Sequence, residues 1–221
     1  RLAIEVGDLA SGGTLLDEAM TTAQALKQGR ILAEAWAIAL EAAIQAAAVP
    51  DALRALAAYG VDCPTSTLDT WPASLARWLW LTGDLDGALR ATEAPRQGHA
   101  ARLVLAERCR LLLVAGEYEA ATTSSSALAE DADMAGMTEI STFARLVQGA
   151  ASGVDDAAYR PLVRATRSSR WVHLYLGALH LDAIRRQLRG ENVGALVREL
   201  AARSRDVGHR LYEALAREDG W

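Results

Sequence analysis

Apolar residues recur at three- and four-residue intervals from one end of the chain to the other, the spacing of helices that bury one face. Short breaks, most of them carrying Gly or Pro, divide this pattern. It predicts twelve to thirteen helices over 1–10, 14–27, 30–48, 50–59, 71–82, 84–94, 99–115, 117–132, 136–150, 155–168, 170–189, 191–206 and 208–218. Nearly all joints are a few residues long, so consecutive helices are expected to pack antiparallel. Gly12-Gly13-Thr14 reads as one such turn; it lacks the Gly-Lys-Ser/Thr ending of a phosphate loop. The exception is 60–72, where Cys63-Pro64-Thr65-Ser66-Thr67 cannot continue a helix. Asp69 or Thr70 offers a cap for the next helix and Pro72 suits its first turn. A bend is expected there, inside a single domain spanning 1–221.

Composition agrees with the pattern. The 221 residues include 46 Ala and 32 Leu against 12 Val and 6 Ile, so the best helix formers dominate and β-branched residues are scarce. The expected class is all-α, and a doubly wound sheet, a sandwich or a barrel is excluded. With 51% apolar residues the chain can bury a core. The most apolar stretch, Ile31 to Val49, is interrupted by Glu34, Glu41 and Gln45 and reads as a buried helix rather than a membrane span. Two cysteines, Cys63 and Cys109, build no disulfide framework, which points to a reducing, cytoplasmic setting. The chain opens on Arg1 rather than on Met or a signal segment, and either a fragment of a longer protein or a chain without its disordered ends is the expectation.

Internal repetition sharpens the architecture. An apolar helix over 75–82 is followed by Gly83-Asp84-Leu85-Asp86-Gly87-Ala88, and one over 103–115 by Gly116-Glu117-Tyr118-Glu119-Ala120-Ala121, the two turns 33 residues apart. In each, Gly closes a helix in the left-handed conformation, an acid faces the positive end of the next helix, and a small Ala permits close approach. Weaker copies follow at Gly153…Ala158 and Gly190…Ala195, and Leu15-Leu16-Asp17-Glu18-Ala19 looks like a further second helix.

These residues resemble the tetratricopeptide repeat (TPR), a helix-turn-helix unit that stacks into a solenoid. Ala76 and Cys109 are small where the family has a small residue, while Thr92 and Ser125 replace its bulky aromatic and the closing Pro is missing after Ala121. The resemblance implies a right-handed α-solenoid of antiparallel helix pairs. It also implies that Arg77 and Arg110 occupy one position of successive first helices, on the concave groove. Trp80 lies three residues after Arg77, and Phe143, His180 and Gln187 take the corresponding faces of the weaker repeats. The chaperone-binding subtype holds a carboxylate clamp where Ala73 and Ala106 stand here, so that specificity is not carried over.

Nothing in the chain supplies a reaction centre, and no cofactor or metal is expected. His173 and His180 lie two turns apart, about 10 Å, too far for one ion, and His99 and His209 have no partner at ligand spacing. Ser124-Ser125-Ser126 has no base to activate it. Charge is more informative. Residues 160–221 hold 12 Arg against 7 acids, and 1–159 hold 11 basic against 21 acidic residues. Arg160, Arg164, Arg167 and Arg170 form one stripe on a helix, suited to an acidic partner or to solvent. With a net charge of -5 and no recognition-helix motif, direct nucleic-acid binding is not expected.

The functional expectation is therefore a non-catalytic module that holds a protein or peptide, acidic for preference, in a concave helical groove. The alternative is a small-effector sensor domain of a bacterial transcriptional regulator, because degenerate Ala- and Leu-rich repeats of this kind resemble the C-terminal arrays of such proteins. Their ATPase and DNA-binding parts would then lie outside these residues.

Overall fold

A computed structural model describes residues 9–62, 71–93, 98–167 and 172–216. Of these, 84% are helical and none is in a strand, so the chain is all-α. Twelve helices follow one another: α1 (Leu9–Ala25), α2 (Gly29–Gln45), α3 (Val49–Asp62), α4 (Trp71–Leu81), α5 (Leu85–Ala91), α6 (Gly98–Val114), α7 (Tyr118–Met134), α8 (Thr138–Ala151), α9 (Asp156–Arg167), α10 (Val172–Leu188), α11 (Gly194–Asp206) and α12 (Arg210–Leu215). The helix expected over 1–10 and the bend at 60–72 fall largely outside the described residues. Across that bend, the rings of Tyr59 and Trp71 stack 3.7 Å apart and tie α3 to α4.

The expected turn at Gly12-Gly13 is a correction: α1 runs straight through both. Each Gly costs a helix only about 1 kcal/mol, which the helix formers that follow, Leu15 to Ala19, offset. Helix ends otherwise follow the turn chemistry. Gly116 has φ +81°, and the amides of Gly116 and Glu117 return to the carbonyls of Leu113 and Leu112, satisfying acceptors that α6 leaves over. Ala47 closes α2 with the same bonds at φ +53° but carries a Cβ, so this joint is strained where Gly116 is not. Asp84 caps α5 through a 2.7 Å bond from the Gly87 amide. A Cβ on Gly87 would sit 2.1 Å from that carboxylate, so Gly→Ala there, harmless by helix propensity alone, displaces the cap.

Contacts between helices alternate. The even-numbered helices touch one another in order, α2 to α4, α4 to α6, α6 to α8 and α8 to α10, while α5, α7, α9 and α11 each bridge the two even helices that flank them in sequence. Small residues permit these approaches. Ala88 packs with Ala76 and Leu111, Ala121 lies in the central core with Cys109, Leu146 and Leu181, and Ala88 and Ala121 are fully buried. Each fully buried Leu in this core contributes about 1.5–3 kcal/mol.

The last helix changes the shape expected of such a stack. Short α12 returns to the beginning of the array: Leu211 joins Leu40, Ala43 and Ile44 of α2 in one buried cluster, and α12 and α2 are in contact. In place of the simple concave groove that the resemblance implies, α12 reaches back to α2. Burial of the Leu211 side chain on α2 is what draws them together.

Candidate functional site

Between the helices lies a half-open cavity of about 620 Å³. All six even-numbered helices reach it: Glu41 and Gln45 from α2, Arg77 from α4, Leu103 to Arg110 from α6, Ile140 and Phe143 from α8, Leu174 from α10, and Leu211 and Tyr212 from α12. The helical period explains the choice. Leu103, Ala106, Glu107 and Arg110 fall at i, i+3, i+4 and i+7, one stripe of α6.

The wall divides by chemistry. One part is apolar, formed by Leu103, Ile140, Phe143, Leu174 and Leu211. The other is a chain of charges crossing three helices. The Arg77 guanidinium donates to Glu41 and, at 3.0 Å, to Glu107; Arg110 donates to the second oxygen of Glu107. The Arg110 guanidinium also lies over Trp80, its central carbon 4.5 Å from the ring centroid, a cation–π contact. Burial alone would raise the Glu107 carboxyl, but Arg110 and Arg77 outweigh it and hold that group below the usual carboxylate range. Burial disfavours the charge of Arg77, yet Glu107 and Glu41 raise its affinity for its proton. Glu107 and Arg77 are therefore held in their charged forms.

Two histidines back this wall. His180 is buried, its ring 6.4 Å from Trp80 and 5.7 Å from Tyr212. Burial and the charge of Arg110 push its imidazole down to about 3. His209, which lines the cavity beside Tyr212, is pushed down to about 4 by burial, against the pull of Glu41. Both are neutral at pH 7. His99, Glu139 and His173 line the exposed mouth.

The structure brings Arg77, Trp80, Arg110, Phe143 and His180 into one neighbourhood, with Trp80 and His180 behind the lining rather than on it. Two expectations are corrected. Gln187 is exposed on the last turn of α10, outside the cavity: it lies two turns beyond His180, and the longer weak repeats shift the register. Arg77 and Arg110 do not form a free ladder for an acidic peptide, because Glu41 and Glu107 take up their charges. On α9, Arg160, Arg164 and Arg167 are exposed, and Arg160 pairs with Asp156 at 2.9 Å; Arg170 lies outside the described residues. Ser125 is buried and donates to the Ala121 carbonyl, a packing role. Burial pushes the Cys109 thiol up to about 12, which leaves it inert.

Among the described residues no helix is long and apolar enough to cross a membrane. No family model matches the chain, and no curated protein or solved structure is significantly similar to it.

Proposed function

We propose that this chain is a small-effector sensor domain: a right-handed, TPR-like α-solenoid whose inner wall closes around a ligand, serving as a cytoplasmic regulatory part of a bacterial transcriptional regulator. One observation carries the reading. The contact of α12 with α2 turns what would be an open groove into a cavity of about 620 Å³, within the range of about 300–1,000 Å³ that holds small molecules. The alternation of inner and outer helices and the glycine-closed turns support the repeat architecture. A ligand touching six helices would couple its binding to the position of both ends of the array, which is what a sensor needs.

A protein-interaction module is the second reading, favoured by a different region. Leu15, Leu26, Ile31, Val49, Leu53 and Val61 are exposed large apolar residues, all between Leu15 and Val61 on α1–α3 and the α1–α2 turn. A thermal-shift comparison separates the two. A library of small metabolites should contain compounds that raise the melting temperature by several degrees, as binding to the folded state requires, whereas acidic peptides should leave it unchanged. Stabilisation by peptides alone would favour the second reading.

A further inference from the structure

The charge balance of the cavity narrows what it can take; this step rests on the ligand-site reading above. Among the described residues that line it, the cations are Arg77 and Arg110 and the carboxylates are Glu41, Glu107 and Glu139. Both Nη atoms of Arg77 and Nη2 of Arg110 are engaged by Glu41 and Glu107. An anion entering the cavity would find both guanidinium charges already balanced by Glu41 and Glu107, with the Glu139 carboxylate at the mouth in surplus. A cation would find Glu41 and Glu107 already neutralised and Glu139 out at the exposed mouth, where it has contacts of its own. Removing an ion from water costs several kcal/mol unless an opposite charge receives it, so both ionic classes are disfavoured. Leu103, Ile140, Phe143, Leu174 and Leu211 instead offer apolar side chains, the first three packed on one core cluster.

We propose that the cavity selects an uncharged, largely apolar small molecule, its body against Phe143, Ile140 and Leu103, and that the Glu41–Arg77–Glu107–Arg110 chain acts as a selectivity wall against anions. The surplus Glu139 carboxylate and the balancing of both guanidinium charges by Glu41 and Glu107 make that discrimination, and the ion pairs need no rearrangement when such a ligand enters.

Two dyes that share one anilinonaphthalene skeleton provide the test: uncharged N-phenyl-1-naphthylamine and its sulfonated anionic analogue, titrated into the whole chain by fluorescence. The uncharged dye should bind one site at least about tenfold more tightly than the sulfonate. Leu103→Trp, which fills the cavity, should weaken it about tenfold or more. Glu41→Gln leaves a surplus guanidinium on the wall; it should shift the ratio of the two affinities toward the sulfonate by about tenfold, and an unchanged ratio overturns the role of the charged wall. Equal or tighter sulfonate binding to wild type, still displaced by Leu103→Trp, overturns the selectivity while the cavity remains a ligand site. If neither dye binds wild type, or both ignore Leu103→Trp, the ligand-site reading itself falls. Should a variant fail to fold, the wild-type comparison of the two dyes alone decides the selectivity.

Discussion

Two buried arginine clusters sit in the same chain and do different things. In the joint of α8, α9 and α10, Arg185 is fully buried and every guanidinium nitrogen is used: Nε donates to Asp182, Nη1 to the Val154 carbonyl and Nη2 to Asp156 and Asp182. Its plane lies over Tyr159, whose hydroxyl donates to the Leu146 carbonyl, and Gly149 leaves room for that ring, since a Cβ there would come within 2.9 Å. The cluster on α2, α4 and α6 is built from the same residue types, yet the Nε atoms of Arg77 and Arg110 are buried without acceptors, and one side faces a cavity rather than packed atoms. A group selected for stability alone uses all its donors, as Arg185 does. The incompletely satisfied cluster is where the fold carries a cost for something else, which is the physical basis for placing function there.

Acid should expose this contrast most strongly. Unfolded, His180 and His209 titrate near 6.5; folded, burial holds them near 3 and 4. Between those values the unfolded chain binds protons that the folded chain does not, so stability falls as the pH falls from about 6.5 to about 4. Each imidazole contributes a slope of about 1.4 kcal/mol per pH unit. Urea midpoints measured across that window should drop accordingly, and His180→Leu should roughly halve the slope. The Arg185 joint contains no histidine, so probes placed there should report loss of structure only with the global transition.

Mutation gives the next largest difference. Arg185→Leu removes the fully buried guanidinium, leaving Asp182 to Arg186 alone and Asp156 to Arg186 and Arg160, and should cost about 3 kcal/mol. Glu107→Gln should cost less, about 1–3 kcal/mol, because Arg77 keeps Glu41, Arg110 keeps Trp80, and water in the cavity can reach both. Chemical denaturation of the two variants side by side measures the gap. Equal losses would mean that the cavity cluster is as much a structural lock as the other.

The fold was legible because helical periodicity, Ala and Leu content, and glycine turns all act locally. Gly83, Gly116, Gly153 and Gly190 could be placed from sequence, and all four adopt positive φ. The closure of the array was not legible: Leu40 and Leu211 are 171 positions apart, and no local pattern says that they meet. The site was half legible for the same reason. Glu107 was not singled out, although it stands three residues before Arg110 on one helix face, the spacing that could have found it; Phe143, expected on the groove, lines the cavity. The pairing of Arg77 with Glu41 joins two helices, so the arginine was read and its partner was not. Gln187 was misplaced because a repeat register drifts when repeat lengths vary from 33 to 37 residues. Gly12-Gly13 was misread because a pair of glycines looks like a turn until its neighbours' helix propensity is weighed.

The most direct test of the central claim, that the ends of the array meet to enclose a ligand cavity, compares melting temperatures of wild type and Leu103→Trp across one small-metabolite library. Leu103 is half-buried and lines the cavity, so the larger ring occupies the space a ligand would use. The account predicts compounds that raise the melting temperature of wild type by several degrees and that of Leu103→Trp by none, with both proteins folded to the same helix content. Compounds that stabilise the two proteins equally, or a library in which none stabilises wild type, would contradict it.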